Sequence, residues 1–198
     1  MARPVETDDD AMLDAAGRAL TLYGPSAFTL ARAGEQAGIA AATLVKRFGS
    51  KRALLVRLSL RWVGTLEGAL AATEVGAGSA LQRLRAVALH SYHRFDNPDT
   101  AAMQLAALAV DLQDDELREL LHRGWGIVRA HLARHAADAV AAGELAGCPP
   151  PEQLARILFA AMEGGCLAWS VHPDGSLMTR LAADLDAVLA AWIPEENR

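Results

Sequence analysis

Apolar side chains recur along this chain at every third or fourth position, the period of an α-helix with one face turned to a core. Leu13, Ala16, Leu20 and Tyr23 trace such a face over residues 8–23. Asp8, Asp9 and Asp10 stand at its start, where negative charge complements the helix dipole and a carboxylate can cap the first turn. Gly24-Pro25 predicts a stop. Thr29 is the N-cap of a second, short helix that runs to about Ala37, with Phe28 placed before it as a hydrophobic staple. Gly38 then supplies a tight turn that a bulkier residue resists. Residues 40–48 predict a third short helix closed by Gly49, and Ser50 caps a fourth from about 51 to 72. Five more are predicted over 78–94, 98–112, 114–142, 151–171 and 176–192, with Gly and Pro residues in the breaks. Asp114 and Asp115 cap the long one, and Leu117, Leu120, Leu121, Val128 and Leu132 are its buried stripe. The pattern is an all-α fold of about nine helices.

Composition sharpens this picture. Alanine, the best helix former, supplies 42 of the 198 residues, and aromatics only 5%, so the helices are expected to approach closely. An apolar share of 52% excludes a disordered chain. No uninterrupted apolar run is long enough for a bilayer, since Gln104 and Glu163 break the longest candidates. MARPVETDDD is acidic and does not read as a secretory leader. Cys148 and Cys166 are too few for a disulfide scaffold and are read as reduced thiols of a cytoplasmic protein with no membrane partner.

The net charge of −5 conceals a division. Residues 11–62 hold eight basic and two acidic side chains (+6), whereas 63–198 hold ten basic and eighteen acidic ones (−8). A basic module joined to an acidic one suits a polyanion partner for the first part only. On the third helix, Leu44 and Phe48 share one face, while Ala42, Thr43 and Lys46, with Val45 at the edge, lie on the other. Two short helices, a glycine turn and a small, partly cationic outer face are the parts of a helix-turn-helix, whose second helix enters the major groove.

The segment from Leu13 to Leu55 resembles the DNA-binding part of the TetR/AcrR transcriptional regulators. Leu13-Asp14-Ala15-Ala16, Tyr23-Gly24, Thr29, Ala37-Gly38-Ile39, Thr43-Leu44 and Phe48-Gly49-Ser50-Lys51 carry the likeness. Three features depart from it: Val45 replaces the usual aromatic, Ala40 replaces the usual Ser or Thr, and the arm before the first helix is acidic. They predict fewer hydrogen bonds from the recognition helix. The resemblance implies a sequence-specific DNA-binding regulator, read as a repressor, with a double-stranded operator as partner. Residues 1–50 would form the DNA-binding domain and 51–198 an effector-binding and dimerisation domain, joined by the helix over about 51–72.

Lys46 and Thr43 are the expected readers of base edges, with Val45 against a thymine methyl, Ala42 allowing a close approach and Ala40 opening the helix. Thr29, Arg32, Arg47 and Lys51 are better placed for phosphates, which give register and affinity and carry no sequence choice. The resemblance also implies a ligand cavity. Met103, Leu108, Leu112, Trp125, Val128, Met162, Cys166 and Trp169 are its implied apolar lining, with Tyr92, Gln104 and His131 as polar groups, although ordinary core packing or a surface role accounts better for each one taken singly. The effector is then a small, mainly apolar molecule. Ala155, Leu158, Phe159, Met162 and Cys166 recur along one side of the 151–171 helix, and Leu181, Leu185, Val188, Leu189 and Trp192 along one side of the last. They are candidates for a homodimer interface, with an intramolecular core as the alternative. His90 with His93 and His131 with His135 have a spacing that can chelate a metal, but no third or fourth ligand stands near them, so neither metal nor cofactor is expected. No paired acid and base, nucleophile triad or phosphate-binding loop marks a catalytic site. An all-α enzyme and a helical interaction module with a decayed DNA face are the competing readings.

Overall fold

A computed structural model describes residues 8–76 and 78–195; residues 1–7, most of the acidic N-terminal segment, Ala77, in one predicted break, and residues 196–198 lie outside them. Among the described residues there are nine α-helices and no strand. They are α1 (Asp9–Ala27), α2 (Leu30–Ala37), α3 (Ala41–Phe48), α4 (Lys51–Glu74), α5 (Ala80–Leu89), α6 (Pro98–Asp111), α7 (Asp115–Ala141), α8 (Pro151–Val171) and α9 (Leu177–Leu189), with a 3-10 helix at His90–Phe95. Two expectations change. Gly24 breaks α1 with a non-helical φ of 69°, but a last turn resumes at Pro25 and reaches Ala27. The helix expected over 78–94 ends as α-helix at Leu89 and tightens into the 3-10 turn.

The chain divides into two compact units. The first runs to Gly64 and takes in Met103–Leu121; the second comprises Thr65–Ala102 and the residues from His122 onward. In the first, Met12, Leu13, Ala16 and Ala19 of α1 close over Phe28, Ala33, Leu44, Phe48 and Leu54. Phe28 and Leu44 have no exposed surface at all. Burying side chains of this size contributes about 1.5–3 kcal/mol each, and these residues fix α2 and α3 against α1. Thr29 caps α2 by accepting a hydrogen bond from the Arg32 amide at 3.2 Å.

The turn between α2 and α3 is a Schellman motif. Gly38 is left-handed (φ 67°, ψ 28°) and its amide donates to Glu35 O, while the Ile39 amide donates to Gly34 O at 3.0 Å. Gly34 is needed for a different reason. A Cβ there would stand 2.7 Å from the Ile39 carbonyl oxygen and 3.2 Å from the Ala41 amide nitrogen, both backbone atoms.

In the second unit α8 buries Leu154, Ala155, Leu158, Met162, Cys166 and Trp169, and α9 buries Leu177, Leu181, Leu185 and Leu189. Gly165 admits Leu181, whose Cδ2 would lie 2.7 Å from a Cβ at that position. Ser79 and Gln82 form a capping box on α5. Ser176 caps α9 and donates to Asp96 at 3.0 Å. By length and composition α8 is apolar enough to cross a membrane, with mean hydropathy 1.3, which the search for unbroken apolar runs does not register. Its buried positions recur every three or four residues, as in a core helix.

Two stability experiments follow from this packing. Alanine normally stabilises a helix by ~1 kcal/mol over glycine. Gly34→Ala is nevertheless expected to destabilise the protein by ~1–3 kcal/mol, because crowded backbone must move. Gly64→Ala, where nothing lies within 4 Å of the new Cβ, is the control and should raise stability. Urea unfolding of both variants checks the pair.

Asp111, at the end of α6, supplies the second. Burial first, and then the Asp114 charge, push its carboxyl up from 3.8 to about 6. A raised acid favours the protonated native state, so its ionisation costs stability once pH exceeds the unfolded value, and the cost is complete above about 6. Asp111→Asn should therefore raise the melting temperature at pH 7.5 and lose that advantage near pH 4. Solvent screening at this half-exposed site reduces the gain to ~1 kcal/mol, or roughly 2–4 °C for a chain of this size. Thermal melts of both proteins across this range measure it.

Candidate nucleic-acid interface

Within the first unit, helix α3 is anchored from below by Leu44, which is fully buried, and by Phe48, at 9% exposure. The 3.6-residue period then leaves Ala42, Thr43, Val45, Lys46 and Arg47 on the outer face, all exposed. Val45 is 47% exposed, a high value for a β-branched apolar side chain with its neighbours packed. Ala40 is the N-cap residue and provides no side-chain hydrogen bond to the first turn. The outer surface is small at its start and cationic at its end.

The cations differ in what they hold. Lys46 has no hydrogen-bond or ion-pair partner among the described residues. Arg47 donates from Nε to Asp9 of α1 at 2.5 Å. That contact outweighs an opposing desolvation and, with the smaller Coulomb fields of Arg47 and Arg57, holds the Asp9 carboxyl below its ordinary value. Arg32 donates to the Ala27 carbonyl and lies 4.5 Å from the centre of the Tyr23 ring, a cation–π distance. Lys51 donates from Nζ to the Pro25 carbonyl at 2.7 Å, with its ammonium 5.8 Å from the Phe28 ring centre. Thr29 is exposed, and its hydroxyl oxygen is already engaged as the α2 cap. Arg32 and Lys51 thus both hold the loop between α1 and α2.

Beside α3 lies a cleft of about 380 Å³ lined by Asp9, Arg47, Phe48, Arg52, Ala53, Val56, Arg57 and Glu116. Arg52 forks onto Asp114, at 2.5 and 2.9 Å, and onto Glu116 at 3.0 Å. The same Asp114 accepts the amides of Glu116 and Leu117 as the cap of α7. The Arg52 hydrogen bond first, then the Leu117 amide, keep its carboxyl below the usual range, and the reciprocal bond raises Arg52. This pairing spans 62 residues, and no local pattern in the sequence signals it.

The expected ligand lining falls into two groups. Met103, Leu108 and Leu112 belong to the first unit. There the sulfur of Met103 packs where a Cβ on Gly24 would sit, and Leu112 is 49% exposed. Trp125, Val128, Met162, Cys166 and Trp169 belong to the second. Trp125 meets Phe159 edge-on at 5.2 Å between ring centres. Met162, Cys166 and Trp169 are buried, and the Trp169 indole nitrogen has no hydrogen-bond partner among the described residues. Sequence reasoning placed Tyr92 there but missed its partner. Tyr92 donates to Glu163 at 2.8 Å, and burial first raises both the phenol and the carboxyl. Gln104 is exposed, and His131 pairs with Glu67 and Glu74. His90 Nδ1 lies 2.6 Å from the Thr73 hydroxyl, while its partner in the chelating spacing, His93, is exposed.

The dimer set needs correction. Ala155, Leu158, Met162, Leu181 and Leu185 are 0–1% exposed within the single chain, so a second copy cannot touch them. Periodicity identified the apolar stripes of α8 and α9, but these stripes face their own core. Phe159, Val188 and Trp192 retain partial exposure. On α8 the outward apolar side chains are Leu167, at 51%, and Val171, at 80%.

Residues 12–58 match the model of the tetR family of bacterial regulatory proteins, and residues 80–185 match that of the tetracyclin repressor-like C-terminal domain. No curated protein sequence matches the chain. Solved structures share the fold at low identity. A TetR transcription regulator from Haloarcula marismortui is 16% identical with a TM-score of 0.80, covering 93% of this chain and 97% of its own. SmeT, the repressor of the Stenotrophomonas maltophilia multidrug efflux pump SmeDEF, is 20% identical with a TM-score of 0.70, over 98% and 94%. The regulator FadR from Bacillus subtilis, in complex with stearoyl-CoA, is 15% identical with a TM-score of 0.72, over 92% and 98%.

Proposed function

The chain belongs to the tetR family of bacterial regulatory proteins, and from that premise we propose that it represses transcription from a palindromic operator until a small, mainly apolar ligand releases it. The observation that carries this reading is the face of α3: Leu44 and Phe48 are buried while Thr43, Val45 and Lys46 stand free at its outer surface. Lys46 donates to guanine O6 or N7, and the methyls of Thr43 and Val45 meet thymine. Ala40 and Ala42 let the helix lie close to the base edges. Arg47 reaches phosphate by exchanging Asp9 for it, and both partners of that pair lie in solvent, where water already screens them. Arg32 and Lys51 serve the DNA backbone from the start of α2 and α4 by exchanging the Ala27 and Pro25 carbonyls they hold in the free protein for phosphate. The Thr29 hydroxyl, an acceptor in the α2 cap, still has its own proton to donate.

A two-fold dimer places two such helices a helical turn, or a multiple of it, apart on DNA. The exposed sides of α8 and α9, with Leu167, Val171 and the part-exposed Phe159, Val188 and Trp192, are the surface we assign to it. The effector region is the second unit's cluster of Trp125, Val128, Met162, Cys166 and Trp169. Among the structural neighbours SmeT is a repressor, and FadR is in complex with stearoyl-CoA, which supports a ligand with a substantial apolar part. Operator and effector must weaken each other by the same factor. The protein works in the cytoplasm as a homodimer.

Selection of duplexes from a random pool, at several salt concentrations, tests the reading; an enriched palindrome supports it, and salt-sensitive retention without enrichment refutes it. On the selected operator, Lys46→Ala should cost ~1–3 kcal/mol and relax preference at one position of each half-site. Lys51→Ala should weaken all sequences alike and lower the salt slope by about 1. Equal losses on operator and random DNA for Lys46→Ala would remove it from base reading.

A further inference from the structure

The second unit contains a cluster that the DNA-binding reading leaves unused. Glu74, from the last turn of α4, meets His131 and His135, one turn apart on α7. The His131 Nδ1 atom lies 2.7 Å and the His135 Nε2 atom 2.8 Å from the same oxygen, Glu74 Oε1. Both imidazoles are buried, at 5% and 3% exposure. Burial alone would raise the Glu74 carboxyl, but the His135 and His131 hydrogen bonds outweigh it and hold it at about 2. Ring protons or a cation between the three atoms can hold them this close, and the same three positions can serve as ligands once the ring nitrogens are bare. The Arg134 guanidinium is the cation here: its Nη2 lies 2.7 Å from Glu74 Oε1, 3.0 Å from His131 Nδ1 and 3.2 Å from His135 Nε2. The side chain of Arg134 is 52% exposed, so it can swing out into solvent.

We propose that Glu74, His131 and His135 form a binding site for a divalent transition-metal ion of the zinc type, which displaces Arg134. Two imidazoles and one carboxylate are a ligand set that zinc accepts, with a fourth position left for water. Metal–ligand bonds of roughly 2.0–2.2 Å in a tetrahedron set ligand atoms about 3.4 Å apart, so each imidazole nitrogen must open from Glu74 Oε1 by a few tenths of an ångström as the ion takes the place of Arg134 Nη2. The outer groups suit this arrangement. With Nδ1 of His131 bare toward the metal, its Nε2 carries the proton and donates to Glu67, 3.1 Å away, the carboxylate–histidine pairing that orients metal-bound imidazoles. His135 likewise turns its other nitrogen, Nδ1, toward Asp138 at 3.7 Å, and that buried nitrogen has no hydrogen bond among the described residues. The two histidines sit at i and i+4 on one helix face, and the third ligand comes from 57 residues earlier.

The test is titration of the full metal-free chain with Zn²⁺ against a chromophoric chelator, with Co²⁺ as the spectroscopic probe. The expected result is one ion per chain and a Co²⁺ d–d absorption that His135→Ala lacks. Because His135 is buried and its replacement can unsettle the fold, two variants at exposed positions complete the test. Glu67→Gln should weaken binding roughly ten-fold or more. Arg134→Ala should tighten it several-fold, since a competing cation is gone; a purely structural Arg134 would not give that gain. Binding that is unchanged in both of these variants, or retained in full by folded His135→Ala, overturns the proposal. Neither result touches the DNA-binding reading, which rests on the other unit.

Discussion

The arrangement of the first unit depends on one close approach, that of the α2 backbone to the start of α3 at Gly34. Two backbone atoms occupy the space a side chain would need there. Everything α3 presents outward is set by that contact together with the burial of Leu44 and Phe48. A rotation of α3 by even one residue, 100°, would carry Leu44 off the core and turn Val45 or Arg47 toward it. Gly38 closes the turn with a left-handed backbone, but it has open space around it, so its role is conformational where that of Gly34 is steric.

Around this frame the charged groups form two layers. Arg32 and Lys51 point back into their own unit and tie the α1–α2 loop through carbonyl oxygens and aromatic faces. Lys46 points outward with no partner among the described residues, and Arg47 is held by an acid on α1. The acidic start of α1 therefore does more than complement a helix dipole. It neutralises one end of the surface that DNA would meet, and a polyanion must compete with Asp9 for Arg47.

Helices were legible because their signal is local. Periodicity and the Thr29, Ser50 and Asp114 caps depend on neighbours within a turn or two, and these positions read correctly. The inner and outer faces of α3 were legible for the same reason. Periodicity shows that α8 and α9 have apolar stripes but not what covers them, so a partner and an intramolecular core both stood open for Leu158 and Leu181, which their own core claims. Pairs made across the chain left no trace at all. Arg52 with Asp114, Tyr92 with Glu163, and Glu74 with His131 and His135 join residues 57 to 71 positions apart. The histidine spacing was visible, whereas the carboxylate that completes it was not.

The way the first unit is assembled bears on how the protein is made. Its segment Met103–Leu121 is separated from Gly64 by residues that belong to the other unit. The Arg52 bridge to Asp114 and Glu116 lies across that gap. At roughly 5–20 residues per second, a ribosome needs on the order of 3–11 s to go from Gly64 to Leu121. During that interval the nascent helix-turn-helix is present without the strap that finishes its unit. An N-terminal fragment cut at the end of the DNA-binding motif would stay permanently in that unfinished condition.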